Sequence, residues 1–168
     1  MTDMYKLYNA GALNFLLLNY PSLEASPFAR ISNIPRSLFD LGADIVHHNA
    51  RLAFLAHSFA ERHPTANVFF FDQHKLSLAV RREATQFPET SMVEKLEGYC
   101  YPYAEERPAG QMAGLATRDV FDELCEVGME RWFWRDEMHH TEPYERLLAR
   151  KLVELLDDPG QRLPYEFY

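Results

Sequence analysis

The chain has 168 residues, of which 47% are hydrophobic, and carries 17 Lys and Arg against 25 Asp and Glu for a net charge of −8. This length predicts a single domain spanning 1–168, and this apolar content supports a packed core, which excludes a disordered chain. The acidity argues against a nucleic-acid partner, which needs cations to neutralise phosphates. The aliphatic and aromatic runs, such as 15–18 and 68–71, are far too short to span a membrane.

The first half of the chain alternates helical and strand patterns. Met1, Met4, Leu7 and Tyr8 have helical spacing before Gly11, a residue type that ends helices. Ala12 to Asn19 is then expected to be a strand buried on both faces, followed by a loop over 20–40. A helix is expected from Asp44 to Arg62, with an apolar stripe of Ile45, Leu52, Leu55 and Phe59. A second strand from Asn67 to Phe71, which Asp72 ends, and a short helix from Lys75 to Arg82 complete this half.

The second half is more irregular. We expect no regular structure from Phe87 to Gly114, and then a short helix capped by Thr117. Thr141 is a good N-cap with Pro143 just inside the next helix, whose expected apolar stripe is Leu148, Leu152, Leu155 and Leu156 and which Pro159-Gly160 ends. Helices and strands in alternation predict an α/β fold with a parallel sheet.

The candidate chemistry lies just before that last helix. Asp136 and His139 are three residues apart, a spacing at which a turn can point both side chains the same way. An aspartate that accepts from one imidazole nitrogen fixes the tautomer and stabilises the imidazolium formed when the other nitrogen takes a proton. The aromatic run from Trp132 to Trp134 would supply an apolar wall beside them. On spacing alone, an ordinary surface pair is the alternative.

Three segments resemble the SGNH (GDSL) hydrolases, which are esterases and lipases acting on lipid or carbohydrate esters. Residues 11–23, Gly-Ala-Leu-Asn-Phe-Leu-Leu-Leu-Asn-Tyr-Pro-Ser-Leu, are similar to a family strand that reads Gly-Ala-Arg-x-Phe-x-x-x-Asn-x-Pro-Pro-Leu. Residues 68–72 look like its next strand, and 133–141 resemble its C-terminal block, Phe-Trp-x-Asp-x-x-His-Pro-Thr. The segments occur in the family's order and span nearly the whole chain.

The resemblance implies a flavodoxin-like three-layer sandwich around a five-stranded parallel sheet, with His139 as catalytic base, Asp136 as orienting acid and a serine nucleophile. It implies no cofactor and no metal. His140 stands where the family has proline, Leu13 where arginine is common, and Glu145 where a further histidine is frequent. Family members are often secreted, although no signal peptide is recognisable at residues 1–6.

The family's nucleophile motif, Gly-Asp-Ser, does not occur in these 168 residues, and neither do the glycine and Gly-x-Asn-Asp blocks that supply its oxyanion hole. No serine lies in Gly-x-Ser-x-Gly; each is expected to be a loop, cap or surface hydroxyl: Ser22, Ser26, Ser32, Ser37, Ser58, Ser77 and Ser91. We therefore expect the chain to be the C-terminal portion of such a domain, without the first three strands, and to have no serine-esterase turnover by itself.

An incomplete sheet has consequences for partners. The first strand would have an unpaired edge, so we expect marginal stability or self-association through that edge. A small-molecule ester is the expected ligand if the missing part is supplied. The second class of function is a non-catalytic binding protein or a degenerate remnant of the fold.

Other patterns predict less. Five histidines lack the spacing of metal ligands: His47, His48, His57, His63 and His74. The pair His139-His140 with its neighbouring glutamates is only a weak indication of a metal site, so no metal site is expected. Tyr99, Tyr101 and Tyr103 either line a ligand surface or cover the core, and we favour the core. Cys100 and Cys125 lack metal spacing, and whether they form a disulfide stays open.

Overall fold

A computed structural model describes residues 2–31, 38–101 and 125–163. The predicted helix at Thr117 and the stretch 102–114 lie outside these residues. The elements are α1 (Thr2–Asn9), β1 (Asn14–Leu18), α2 (Pro27–Ile31), α3 (Leu38–Arg62), β2 (Asn67–Phe71), α4 (Gln73–Arg82), α5 (Glu142–Asp157) and β3 (Arg162–Leu163). Within the described ranges, no helix is long and apolar enough to cross a membrane.

The three strands form one mixed sheet in the order β1-β2-β3. β1 and β2 are parallel, with Asn14 opposite Asn67 and Leu18 opposite Phe71. The unpredicted β3 pairs antiparallel to β2, which places Leu163 opposite Val68. The α/β class and the parallel pair are confirmed, whereas the expectation of a purely parallel sheet is wrong for the described strands.

Helices pack on both faces of the sheet, because successive side chains of a strand point to opposite sides. Under α1 and α3, Phe59 is fully buried among the rings of Tyr5, Tyr8, Phe15 and His63, at 4.5–5.9 Å between ring centroids. We call this set of buried residues the α1–α3 cluster: Met4, Phe15, Ala56, Phe59, Ala60, Ala66, Val68 and Leu163.

The opposite face is covered by α4, α5 and the chain between them. We call its buried residues the α4–α5 cluster: Leu76, Val80, Ala84, Val93, Phe133, Trp134, Tyr144, Leu147 and Leu148. Leu18 and Phe71 contact this cluster, whereas Leu17 and Phe70 contact the other, as strand alternation requires. The candidate site is attached to the α4–α5 cluster through Phe133 and Trp134.

β1 is not buried on both faces, which corrects the prediction. Leu13 and Leu16 are 47% and 39% exposed. The Asn67 N–H donates to Leu13 O, and the Asn19 N–H donates to Phe71 O. Every second residue from Leu13 onward therefore points its backbone N–H and C=O groups toward β2. The N–H and C=O groups of Leu16 therefore point to the other side, where no described residue pairs with them, so β1 is an edge strand in the described structure.

Two further predicted elements are shifted. α3 begins at Leu38 rather than Asp44, and the preceding segment, predicted to be a loop, contains a 3-10 turn at Leu23–Ala25 and the short α2. The buried face of α5 consists of Tyr144, Leu147 and Leu148, while Leu156 is 45% exposed. The predicted stripe is therefore right for Leu148, which is buried, and for Leu152, which packs against the α4–α5 cluster, and wrong for the exposed Leu156.

Candidate active site

Asp136 and His139 lie in a tight turn. Trp134 and His140 form an isolated antiparallel bridge, and the Arg135 N–H donates to His139 O at 2.8 Å, so residues 135–139 reverse the chain. Asp136 Oδ1 accepts hydrogen bonds from the N–H groups of Met138 and His139, both at 2.8 Å. Aspartate is favoured in turns because its carboxylate can accept from N–H groups a few residues ahead.

The turn brings the two predicted residues into direct contact. His139 Nδ1 lies 3.0 Å from Asp136 Oδ1 and 2.8 Å from Oδ2. A carboxylate only accepts hydrogen bonds, so Nδ1 carries the hydrogen and Nε2, on the far side of the ring, holds the free lone pair. The His139 side chain is 78% exposed and that of Asp136 29%. The arrangement leaves an exposed imidazole whose Nδ1 is held by Asp136.

The electrostatics of the pair fit this assignment. Burial alone would raise the pKa of Asp136, but hydrogen bonds from the Met138 and His139 N–H groups, and then from the His139 ring, outweigh burial and hold the pKa below its usual value. Asp136 is therefore ionised at neutral pH. An ionised partner stabilises the imidazolium that forms when His139 Nε2 accepts a proton.

A buried aromatic stack supports the turn. The His140 ring lies on Trp134 with centroids 4.5 Å apart and an interplanar angle of 23°, and it also contacts the rings of Tyr144 at 4.1 Å and Phe133 at 4.8 Å. His140 Nδ1 lies 4.0 Å from Glu145 Oε1. Burial lowers the pKa of His140 to about 3, and the neighbouring His139 adds to this effect. His140 is therefore a neutral packing residue. Trp132 to Trp134 were predicted to form an apolar wall beside the pair, but Phe133 and Trp134 are fully buried members of the α4–α5 cluster.

Two distant segments contact the turn, and spacing in the sequence did not predict them. The Phe28 N–H at the start of α2 donates to Glu137 O at 2.9 Å. The Tyr99 hydroxyl donates to Glu137 Oε1 at 3.5 Å. Burial, followed by the charges of Glu137 and Asp136, raises the pKa of Tyr99. No local pattern marks these residues, because their contacts arise only in the folded chain.

Cys100 and Cys125 are paired in a disulfide, with their Cα atoms 5.6 Å apart. The sequence left this pairing open. The same two chain segments are also joined by a parallel bridge between Lys95 and Trp132. Because Cys100 directly follows Tyr99, the disulfide fixes one of the two segments that contact the turn.

Asn19, in the first segment that resembles the family, joins the carboxyl ends of β1 and β2. Its side chain donates to Asp72 Oδ1 at 2.8 Å and accepts from the His74 N–H at 3.0 Å. Asp72 in turn caps α4 by accepting from the Lys75 N–H at 3.0 Å. Asn19 is 6% exposed, so its polar atoms are satisfied within the fold, and its role here is structural.

Three of the described serines form local hydrogen bonds through their hydroxyl groups, whereas the buried Ser22 Oγ has no hydrogen-bond partner among the described residues. Ser26 Oγ accepts from the Ala29 N–H at 3.3 Å, Ser77 Oγ donates to His74 O at 2.9 Å, and Ser91 Oγ donates to Pro88 O at 2.8 Å. Within 2–31, 38–101 and 125–163, no serine side chain is hydrogen-bonded to His139. Ser32 and Ser37 lie outside those ranges.

Two of the remaining histidines each lie near one glutamate. His57 Nδ1 lies 3.4 Å from Glu61 Oε1, and His74 Nε2 lies 3.7 Å from Glu24 Oε1. In the part of the chain that the structure describes, no group of three or more His, Cys, Asp or Glu residues is placed to hold a metal ion.

Neither a scan of protein-family models nor a search of curated proteins finds a match to this chain. The resemblance to the SGNH hydrolases therefore depends on the three segments themselves and on the geometry of the turn.

Proposed function

We propose that Asp136 and His139 are the acid and base of an SGNH-type serine ester hydrolase that acts on lipid or carbohydrate esters. The observation that supports this most is the contact of His139 Nδ1 with both carboxylate oxygens of Asp136, at 3.0 and 2.8 Å, in an exposed turn. The spacing predicted such a contact, and the segment 133–141 that resembles the family's C-terminal block surrounds it.

In the proposed reaction, His139 Nε2 takes the proton of a serine hydroxyl as that oxygen attacks the ester carbonyl. Asp136 stabilises the resulting imidazolium, which then protonates the leaving alcohol. Water attacks the acyl-serine in the second half, again with His139 as base, and releases the acid. This chemistry needs no cofactor, because the serine, the imidazole and the carboxylate handle all of the bonds and protons.

The proposal assigns the serine and the oxyanion hole to polypeptide outside these 168 residues, on the same chain or on another. Loss of the nucleophile costs a serine hydrolase about 10⁶-fold in turnover. The 168 residues alone should therefore show no serine-esterase turnover. A fluorophosphonate probe that labels any of their serines would contradict this statement.

The fold supports the proposal in a general way. A parallel pair of strands with helices on both faces is the arrangement expected of part of a flavodoxin-like sandwich. The alternative is a non-catalytic remnant, in which the turn serves binding or has no role. The observation that keeps this alternative open is that no described serine contacts His139.

The two functions are separated by supplying the missing part. The 168 residues are fused behind a segment that carries the Gly-Asp-Ser, glycine and Gly-x-Asn-Asp blocks, and hydrolysis of p-nitrophenyl acetate is measured. We expect turnover that His139→Ala abolishes and that Asp136→Asn lowers about 10⁴-fold, as removal of the aspartate does in other triads. The matched control is His57→Ala, which removes a histidine paired with Glu61 on α3.

Turnover that survives His139→Ala would refute the assignment of the base. A folded fusion without turnover would favour the non-catalytic function.

A second readout needs no nucleophile: ¹⁵N NMR of the 168 residues should show His139 protonated at Nδ1 at neutral pH, and Asp136→Asn should mix the two tautomers. Equal tautomer populations in the unmodified chain would count against the proposed role of Asp136.

A further inference from the structure

The outer edge of β1 carries backbone groups that are free to bind another strand. Asn14, Leu16 and Leu18 point their N–H and C=O groups away from β2, because the residues between them bond to β2. Within the described ranges, no strand lies on that side of β1. Unpaired groups at such an edge are a template for a further strand. The edge therefore has the donors and acceptors that hold one.

The segment that contains β1 is also uncharged. Residues 7–23 include no Asp, Glu, Lys, Arg or His, in a chain whose net charge is −8. Edge strands that stay unpaired usually carry a charge, a proline or a bulge, and β1 has none of these. Two copies of an acidic chain repel each other on average, but their β1 strands can approach without like charges meeting along them. A second copy of this chain is therefore an occupant that fits the edge.

The alternation of backbone directions along β1 selects one register for such a pair. In an antiparallel pair, two residues that lie directly opposite each other can exchange both of their N–H···O=C hydrogen bonds. With a two-fold axis at Leu16, this residue lies opposite Leu16 of the second copy, and Asn14 lies opposite Leu18. All three outward-pointing residues of β1 are then paired. A symmetric parallel pair cannot do this, because a parallel ladder needs one of two opposite residues to point away.

We infer that β1 pairs antiparallel with β1 of a second copy across a two-fold axis at Leu16, which joins the two sheets into one. Leu16 lies on the same face of the sheet as Leu18, which contacts the α4–α5 cluster. The Leu16 side chains of the two copies therefore contact each other on that face and lose their exposure to solvent. This pairing is independent of the proposed reaction, because it uses only the backbone and apolar side chains of β1.

The test is disulfide cross-linking of variants that carry one introduced cysteine. Cys100 and Cys125 are paired with each other and are the chain's two cysteines, so the introduced thiol is the free one. In Leu16→Cys, the two thiols face each other across the axis at a Cα separation of about 5.5 Å, which a disulfide can span. Leu13→Cys is the matched control: Leu13 is 47% exposed, against 39% for Leu16. In this register, the Leu13 residues of the two copies lie about 20 Å apart.

Under mild oxidation, we expect Leu16→Cys to give at least about tenfold more covalent dimer than Leu13→Cys. Equal cross-linking of the two variants would overturn the inferred register. The unmodified chain provides a second measurement that needs no substitution. It should sediment as a dimer at about 1 mM, with slow hydrogen exchange at the amides of Leu16 and Leu18.

Two results with the unmodified chain would overturn the inference. A monomer at about 1 mM with fast exchange at these amides would show that the edge stays unpaired. A monomer with slow exchange at the same amides would show that a segment of the chain itself occupies the edge. A dimer in which these amides exchange fast would place the interface elsewhere and would count against the inference as well.

Discussion

Removing the disulfide between Cys100 and Cys125 should destabilise the protein without changing the geometry of the candidate site. The bridge closes a loop with a sequence separation of 25. Chain entropy lost from the unfolded state by closing such a loop corresponds to about 3.5 kcal/mol at 25 °C. In a domain of this size, that loss lowers Tm by about 7–14 °C.

The folded state should change little, because other contacts hold the same two segments. Lys95 forms a backbone bridge with Trp132 and an ion pair of 3.1 Å with Glu126, and Arg131 is paired with Glu94. These contacts do not depend on the disulfide. Reduction should therefore leave the NMR signals of His139 in place at 25 °C while lowering Tm.

The assay is thermal unfolding by circular dichroism with and without a phosphine reductant, with thiol titration to verify reduction. The control is Cys100→Ala combined with Cys125→Ala, in which the reductant should have no effect. A fall in Tm of less than about 3 °C after complete reduction would refute the entropic reasoning. Loss of the Asp136–His139 contact on reduction would refute the claim that the site is held independently.

Three further outcomes are expected. The pKa of His140 in the folded state, about 3, lies below its pKa in the unfolded chain. The stability that the neutral buried ring contributes is therefore complete above about pH 6.5, and the free energy of unfolding falls by up to about 1.4 kcal/mol per pH unit as pH drops toward 3. Urea unfolding at several pH values in this range should show a weaker dependence of the free energy of unfolding on pH in His140→Gln. Leu16→Lys places a charge at the edge strand β1 and should convert self-associated chain to monomer in sedimentation velocity, whereas a monomeric unmodified chain would reject association through that edge. Phe59→Ala should cost about 3–5 kcal/mol in urea unfolding, against less than about 0.5 kcal/mol for Phe54→Ala, whose parent side chain is 69% exposed; similar losses would contradict the packing described for Phe59.

Local signals in the sequence predicted the features that depend on neighbouring residues. Gly11 ends α1 with a φ of +100°, and its N–H donates to Tyr8 O at 2.9 Å. β2 spans the predicted Asn67–Phe71, and the following residue caps α4. The Asp136–His139 contact belongs to the same class, because a turn of a few residues forms it.

Features that depend on distant residues were missed. β3 has two residues, too few for a strand pattern, and exists because it pairs with β2. Asn49 is not one of the residues of the predicted apolar stripe of α3, yet it is buried because its amide binds both the N–H and the C=O of Tyr20, at 3.0 and 2.9 Å. The exposure of Leu16 was also missed, because the apolar run from Ala12 to Asn19 predicts a strand buried on both faces.

The two clusters on opposite faces of the sheet share no side chain. The face under α1 and α3 chiefly determines the stability of the fold. The face that carries Trp134 also determines the position of the His139 side chain. Amino-acid changes around Phe59 can therefore accumulate and alter the cellular abundance of the protein without redirecting its reactive turn. Changes around Trp134 should affect both stability and the position of the proposed base, so selection on the proposed reaction should act on only one side of the sheet.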